Sequence, residues 1–269
     1  MQKLIITVAP TGSLPRKEQN PHVPVTPQEI VDCALRCEEL GASIVHIHVR
    51  DRDQNPSDDP KLFQEVVSGL KAAGSKLIIQ ISTGGRAGSG LESRIARLNV
   101  PCEMASLTTG SVNFPNSVYV NPPADVKALA EAMRERGIKP EMEIFDTSMV
   151  QPAIDLAKEG IVSTPIHFNF VMGLKGTQPA TIEQLVHLKR MIPENSTWTV
   201  TGIGRFQLPL AVHAILMGGH VRVGLEDNIY YKKGVVASNE MLVERIVRLA
   251  REFDREIATP GEAREILHL

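Results

Sequence analysis

The sequence predicts a closed (β/α)8 barrel, a single domain spanning residues 1–269, and three observations lead there. Eight short apolar, mostly β-branched runs punctuate the chain, at 4–9, 43–49, 76–82, 103–109, 141–146, 165–172, 197–203 and 220–226. Amphipathic stretches separate them at roughly the 25 to 40 residues of a βαβ crossover. The first loop, APTGSLPRKEQNPHVP, is long and proline-rich; it lacks the GxGxxG turn of a dinucleotide-binding open sheet. Near-continuous β-branched strands alternating with helices belong to parallel sheets buried on both faces. A doubly wound sheet would usually stop at six or seven strands, whereas eight units close a barrel.

Each element has a local reason. LIITVA (4–9) is too short for the apolar segment of a secretory leader and reads as the first strand. TPQEIVDCALRCEELG (26–41) opens with Thr26 as N-cap, Pro27 at the first helical position and Glu29. TIEQLVHLKRMI (181–192) pairs Thr181 with Gln184, a capping-box signature. SNEMLVERIVRLAREFDRE (238–256) places Leu242, Ile246, Leu249 and Phe253 on one helical stripe. Gly41, Gly74, Gly137, Gly160 and Gly218 stand where helices should end.

Composition narrows the function. The chain has 269 residues, 42% apolar, and a formal charge of −2. It has no clustered basic excess of the kind that nucleic acid or an anionic membrane would require. No apolar run approaches the ~18 residues that span a bilayer. Three cysteines are too few and odd in number for a disulfide framework, and Cys33 and Cys37, at i,i+4, are expected as core filler. A cytoplasmic protein follows as the expectation.

A barrel places its chemistry at the C-terminal ends of the strands, which gives meaning to IVHIHVRD (44–51). Strand side chains alternate faces, so Val45, Ile47 and Val49 should meet the helices while His46, His48 and Arg50 face the axis. Two histidines at i,i+2 lie about 6 to 7 Å apart at the backbone and can converge on one ion. The competing reading is a pair of interior histidines satisfied by hydrogen bonds. Two of them aimed into a dry interior favour a divalent metal. The third ligand is expected from HVRVGLEDN (220–228), where Arg222, Gly224 and Glu226 share one strand face and Asp227 follows. In a closed barrel the last strand neighbours the first, which brings Glu226 within reach of His46 and His48.

Other strand ends carry weaker signals. Glu141 and Glu143 share a face of the fifth strand, and one of them is expected to meet helices or solvent. Ser82, Thr83, Gly84 and Gly85 open STGGRAGSG, a loop able to offer N–H groups to an anion but without P-loop spacing. Ser106 and Thr108 alternate together at the end of the fourth strand. His167 and Asn169 do so on the sixth, where His167 is expected to be structural.

At this point the chain resembles the β-keto acid cleavage enzymes. VHIHVRD, ISTGG, SLTTGSVNF, FDT, TGIGRFQLP and GGHVRVGLEDN carry the resemblance, which runs over essentially the whole chain. It implies a zinc-dependent (β/α)8 barrel, a homotetramer, that converts a β-keto acid and acetyl-CoA into acetoacetate and a new acyl-CoA. By motif, His46, His48 and Glu226 would hold Zn2+, although two histidines and a glutamate would also accept Co2+ or Mn2+. Asp227 would be the base with Arg222 behind it, and Glu143 would sit close to the chemistry. Ser82, Gly85, Ser106 and Thr108 would line the keto-acid site.

One position departs from the family. An acidic residue that meets the substrate amine in the founding 3-keto-5-aminohexanoate enzyme is replaced by Leu14, in PTGSLP. A buried leucine would leave an ammonium unpaired, so an apolar or hydroxylated keto acid is expected, unless Arg16 or Lys17 attracts a second carboxylate. The rival enzyme class is a metal-dependent amidohydrolase-like barrel. That class would place HxH on the first strand and histidines on the fifth and sixth. A non-catalytic, metabolite-binding barrel is the other alternative.

Overall fold

Parallel pairing links each predicted strand to the next and the last back to the first. The computed structural model describes residues 1–84 and 90–269. Barrel strands β1 to β8 run Ile6–Val8, Ile44–Ile47, Ile78–Ile81, Met104–Thr108, Lys139–Ile144, His167–Met172, Thr197–Gly202 and His220–Val223. They form one closed eight-stranded barrel, with β1 hydrogen-bonded to both β8 and β2. Helices α1 to α8 alternate with the strands from Pro27–Leu40 to Asn239–Glu252. No helix among the described residues is long and apolar enough to cross a membrane.

Local signals act as the sequence suggests, with two exceptions. Thr26 and Glu29 close a full capping box on α1, behind Pro27. Thr181 accepts from Gln184 N at the start of α6 (Ile182–Met191), but only half the box forms. The Gln184 amide turns instead to Thr147 Oγ1 at 2.9 Å and Gln178 Oε1 at 3.2 Å. On α8, Leu242 and Ile246 are buried while Phe253 lies past the helix end, 44% exposed. Cys33 and Cys37 are free thiols in the core.

The outward strand positions pack against the helices: Val45, Ile47 and Val49 are buried there with Met142 and Ile144 of β5. Burying each such side chain is worth about 1.5–3 kcal/mol. A second apolar cluster forms the barrel floor, where Ile5, Ile44, Ile78 and Met104 meet Ala263 and Leu267. Those last two belong to α9 (Pro260–Leu267), a short helix started by a Thr259–Glu262 capping box. Above this floor the interior is polar, unlike the aliphatic layers that usually fill such barrels. Thr7, His46, Gln80, Glu141, His167 and Arg222 are all buried there.

Two expectations about strand faces are corrected. Both Glu141 and Glu143 point inward, level with Ser106 and Thr108 of β4 and with His167 and Asn169 of β6. The outward positions of β5 are already taken by Met142 and Ile144, so neither glutamate turns to helices or solvent. On β8 the strand stops at Val223, so Glu226 sits with Asp227 in the following turn rather than continuing the strand face. Gly224 makes that exit with φ +151°, where a Cβ would lie 2.1 Å from Ala9 O. Only glycine tolerates so close a backbone approach.

Candidate metal centre and active site

Barrel closure brings the three expected ligands together. His46 comes from β2, His48 from just beyond it, and Glu226 from the turn after β8. Their ligand atoms all lie within 4.8 Å of one another. His48 Nε2 is 3.3 Å from Glu226 Oε1, and His46 Nε2 is 4.0 Å from Glu226 Oε2. Burial, aided by the Arg222 guanidinium, lowers the His46 pKa to about 3, so the ring is neutral and can donate a lone pair. His46 Nδ1 is bonded to Gln80 Oε1 at 2.6 Å, which directs Nε2 towards Glu226. Glu226 Oε2 is buried with no hydrogen-bond partner in the described structure. Such an orphan costs about 1–3 kcal/mol, and a cation among two imidazoles and this carboxylate would satisfy it. Donor set and geometry fit a catalytic divalent site with open positions.

The rest of the HxHxR motif does other work. Arg50 does not join the ligands. It donates to Gly12 O at 3.0 Å and Thr11 O at 2.8 Å, tying down the first loop. Gly12, at φ +58°, lies so near the ligand turn that a Cβ there would stand 2.4 Å from Glu226 Cγ.

Beside the triad, Arg222 organises three carboxylates. It grips Asp227 with two bonds, Nε to Oδ2 at 2.9 Å and Nη2 to Oδ1 at 3.1 Å. The same Nη2 is 2.7 Å from Glu226 Oε1, and Nη1 is 3.7 Å from Glu143 Oε1. Burial pushes the Asp227 pKa up to about 6 although Arg222 opposes it. Burial raises Glu143 to about 7, again against Arg222, with Thr108 Oγ1 donating to Glu143 Oε2 at 2.8 Å. Glu226 goes the other way: burial is outweighed by Arg222 and the two histidines, and its carboxyl stays ionised. One fixed cation thus lies between an ionised Glu226 and two carboxyls whose pKa values are raised by burial.

A cavity of about 120 Å³ opens at this point, lined by His48, Arg222, Glu226, Asp227, Glu143 and Ser82. Ser82 Oγ accepts from Gly84 N at 3.1 Å. Ser106 is used differently: its Oγ accepts from Thr83 N and its carbonyl from Thr83 Oγ1, bracing the β3 end. Leu14 lines the cavity at its rim and is 64% exposed, so the leucine expected to be buried is not. Arg16 is committed to Asp53 O and Asn55 Oδ1, and Lys17 to Glu29. Gly85 lies outside the described residues. His167 binds Thr197, Thr199 and Glu141 below the site, apart from the ligand group.

The sequence reading missed the apolar wall. Phe114 and Tyr119, stacked with centroids 6.0 Å apart, come from a hairpin pairing Val112–Phe114 with Ser117–Tyr119. Phe145 and Leu174 complete the wall. The VNFPNSVY stretch did carry a hairpin signal, two apolar alternations around Pro115–Asn116. Gln80 was also missed; its signal is a polar residue between Ile79 and Ile81 in an apolar run, level with His46.

Fold and site together define a (β/α)8 barrel with a group of residues able to hold a metal ion and two buried carboxyls of raised pKa at its C-terminal mouth. Residues 3–269 match the family described as beta-keto acid cleavage enzyme, and the chain belongs to it. The chain is 49% identical to a 3-keto-5-aminohexanoate cleavage enzyme of Acetoanaerobium sticklandii, over 99% of this chain and 98% of that protein. It is 45% identical to a 3-oxoadipate:acetyl-CoA acetyltransferase of Cupriavidus necator, over 100% of this chain and 95% of that one. Among solved structures, a ternary complex of ObcA with a C4-CoA adduct and oxalate superposes with TM-score 0.80. That match has 21% identity and covers 93% of this chain and 68% of that one, a likeness of fold alone. Family membership removes the amidohydrolase-like and non-catalytic alternatives, and β5 indeed presents glutamates rather than histidine.

Proposed function

We propose that the protein is a zinc-dependent enzyme that transfers the acyl part of a β-keto acid to CoA, consuming acetyl-CoA and releasing acetoacetate. The observation that carries this is the convergence of His46, His48 and Glu226 beside an Arg222-held Asp227 in one cavity. Two relatives named for cleavage of a keto acid and for acetyl-CoA transfer support it. Cobalt or manganese would suit the same ligands. The resemblance to the family also carries the proposal of a cytoplasmic homotetramer, which light scattering of the purified protein tests for subunit number.

A divalent ion held by His46, His48 and Glu226 would withdraw charge from the ketone and carboxylate oxygens of the keto acid. Asp227 takes the C2 proton, and Arg222 fixes its oxygens for that transfer. The carbanion forms a bond to the acetyl carbonyl carbon while the C–S bond breaks and CoA thiolate leaves. The thiolate then adds to the distal ketone. The C–C bond beside that ketone breaks, yielding the new acyl-CoA and the acetoacetate carbanion. The Asp227 carboxyl returns its proton to that carbanion, closing the cycle. Glu143 lies across Arg222 from Asp227 and tunes the charge there. Among the described residues, Leu14, Phe114, Phe145 and Leu174 offer the substrate side chain an apolar wall, which favours an apolar over an ammonium-bearing keto acid.

Mass spectrometry of the zinc-loaded protein with acetyl-CoA and a panel of β-keto acids tests this. Acetoacetate together with a new acyl-CoA is expected, and its mass names the substrate. Hydrolysed thioester alone would refute the transfer.

A further inference from the structure

We infer that Gln80 is a positioning residue for the metal centre, selecting the His46 tautomer that can ligate; this rests on the metal reading above. His46 and Gln80 stand side by side on β2 and β3, paired in register, and both are fully buried. The His46 Nδ1 to Gln80 Oε1 distance is 2.6 Å. A neutral imidazole carries its proton on one nitrogen only. An amide oxygen against Nδ1 places the proton there and leaves the Nε2 lone pair facing Glu226. The opposite tautomer would present an N–H to the ligand site and exclude the ion.

The amide is costly where it sits. Gln80 Nε2 is buried without a partner, and among the described residues the side-chain amide makes a single hydrogen bond, the one to His46. A buried amide with an unmet donor destabilises the fold relative to an apolar side chain of similar shape. The interior at this level is polar, with Thr7, Glu141, His167 and Arg222 also buried there, and within that layer Gln80 is set apart by its bond to His46. Among the described residues, the amide's one hydrogen bond falls on the ring nitrogen of a ligand, so the amide serves the ligand. Partners of this kind hold ring orientation and basicity, and their loss typically weakens metal binding about 10–100-fold.

The test compares Gln80→Met, which keeps length but removes the acceptor, with Gln80→Glu, whose ionised carboxylate can only accept. Zinc affinity is measured by competition with a chromophoric chelator, and the His46 tautomer in the metal-free proteins by nitrogen-15 NMR. Gln80→Met should bind zinc about 10–100-fold more weakly and show mixed tautomers. Gln80→Glu should keep the Nδ1–H form and bind zinc at least as tightly as the unsubstituted protein. Equal weakening in both variants, or unchanged affinity in Gln80→Met, would overturn the inference. An unsubstituted protein that binds no zinc would instead overturn the metal reading, and the inference with it.

Discussion

Glu141 lies in the polar heart of the barrel, and its replacement by glutamine tests whether that layer is held by charge. The carboxylate is fully buried, accepts from Asn169 Nδ2 at 3.0 Å and faces His167 Nε2 at 3.3 Å. Burial alone would raise its pKa. The facing His167, and beyond it Arg222, outweigh burial and hold it at about 2 against an ordinary 4.5. A folded-state pKa below the unfolded one adds stability that is fully present above pH 4.5 and is lost as pH falls towards 2. A depression of that size corresponds to about 3 kcal/mol at neutral pH and to less than half that at pH 3. Urea unfolding of the chelator-stripped protein and of Glu141→Gln, at several pH values from 7 to 3, reads the difference directly. The gap between the two should narrow by about 2 kcal/mol over that range. A gap that stays constant, or widens in acid, would show that no buried charge interaction holds this layer.

The remaining predictions concern the site. His46→Ala and Glu226→Ala should each lose bound metal, read by elemental analysis, and turnover with it; activity without metal would end the metal reading. Asp227→Asn should retain zinc while turnover drops by about 10²–10⁴-fold, the usual reach of a general base. Unchanged turnover would remove Asp227 from the mechanism. Gly12→Ala should weaken zinc binding without touching a ligand, because its Cβ would force Glu226 aside from 2.4 Å and the backbone sits at φ +58°. Chelator competition measures it, and wild-type affinity would mean that the ligand turn yields freely.

Much of the architecture was legible because periodicity is a local property. All eight strand runs overlap a barrel strand, and the alternation in IVHIHVRD separated helix-facing valines and isoleucine from axis-facing histidines. Alternation could not say how crowded each face was. It left one of Glu141 and Glu143 for the outside, when Met142 and Ile144 had already filled that face. It also extended β8 through Glu226, because nothing in VRVGLED announces that Gly224 must pass within contact of Ala9 O. Leu14 was legible as a departure, but its exposure was not, since that depends on where a long loop settles over the barrel mouth.

The sequence by itself determined the element types, their order and the residues chemically able to bind a cation, since these follow from side-chain spacing and donor chemistry. Only the tertiary structure decided which of them meet. Closure of β1 between β2 and β8 carries Glu226 to His46 and His48 across about 180 residues of chain. Pairing of β2 with β3 sets Gln80 against His46, Arg50 folds back onto the first loop, and α9 seals the floor beneath Ile5 and Ile44. Such contacts arise from packing between segments distant in sequence, where local pattern specifies a face but not its partner.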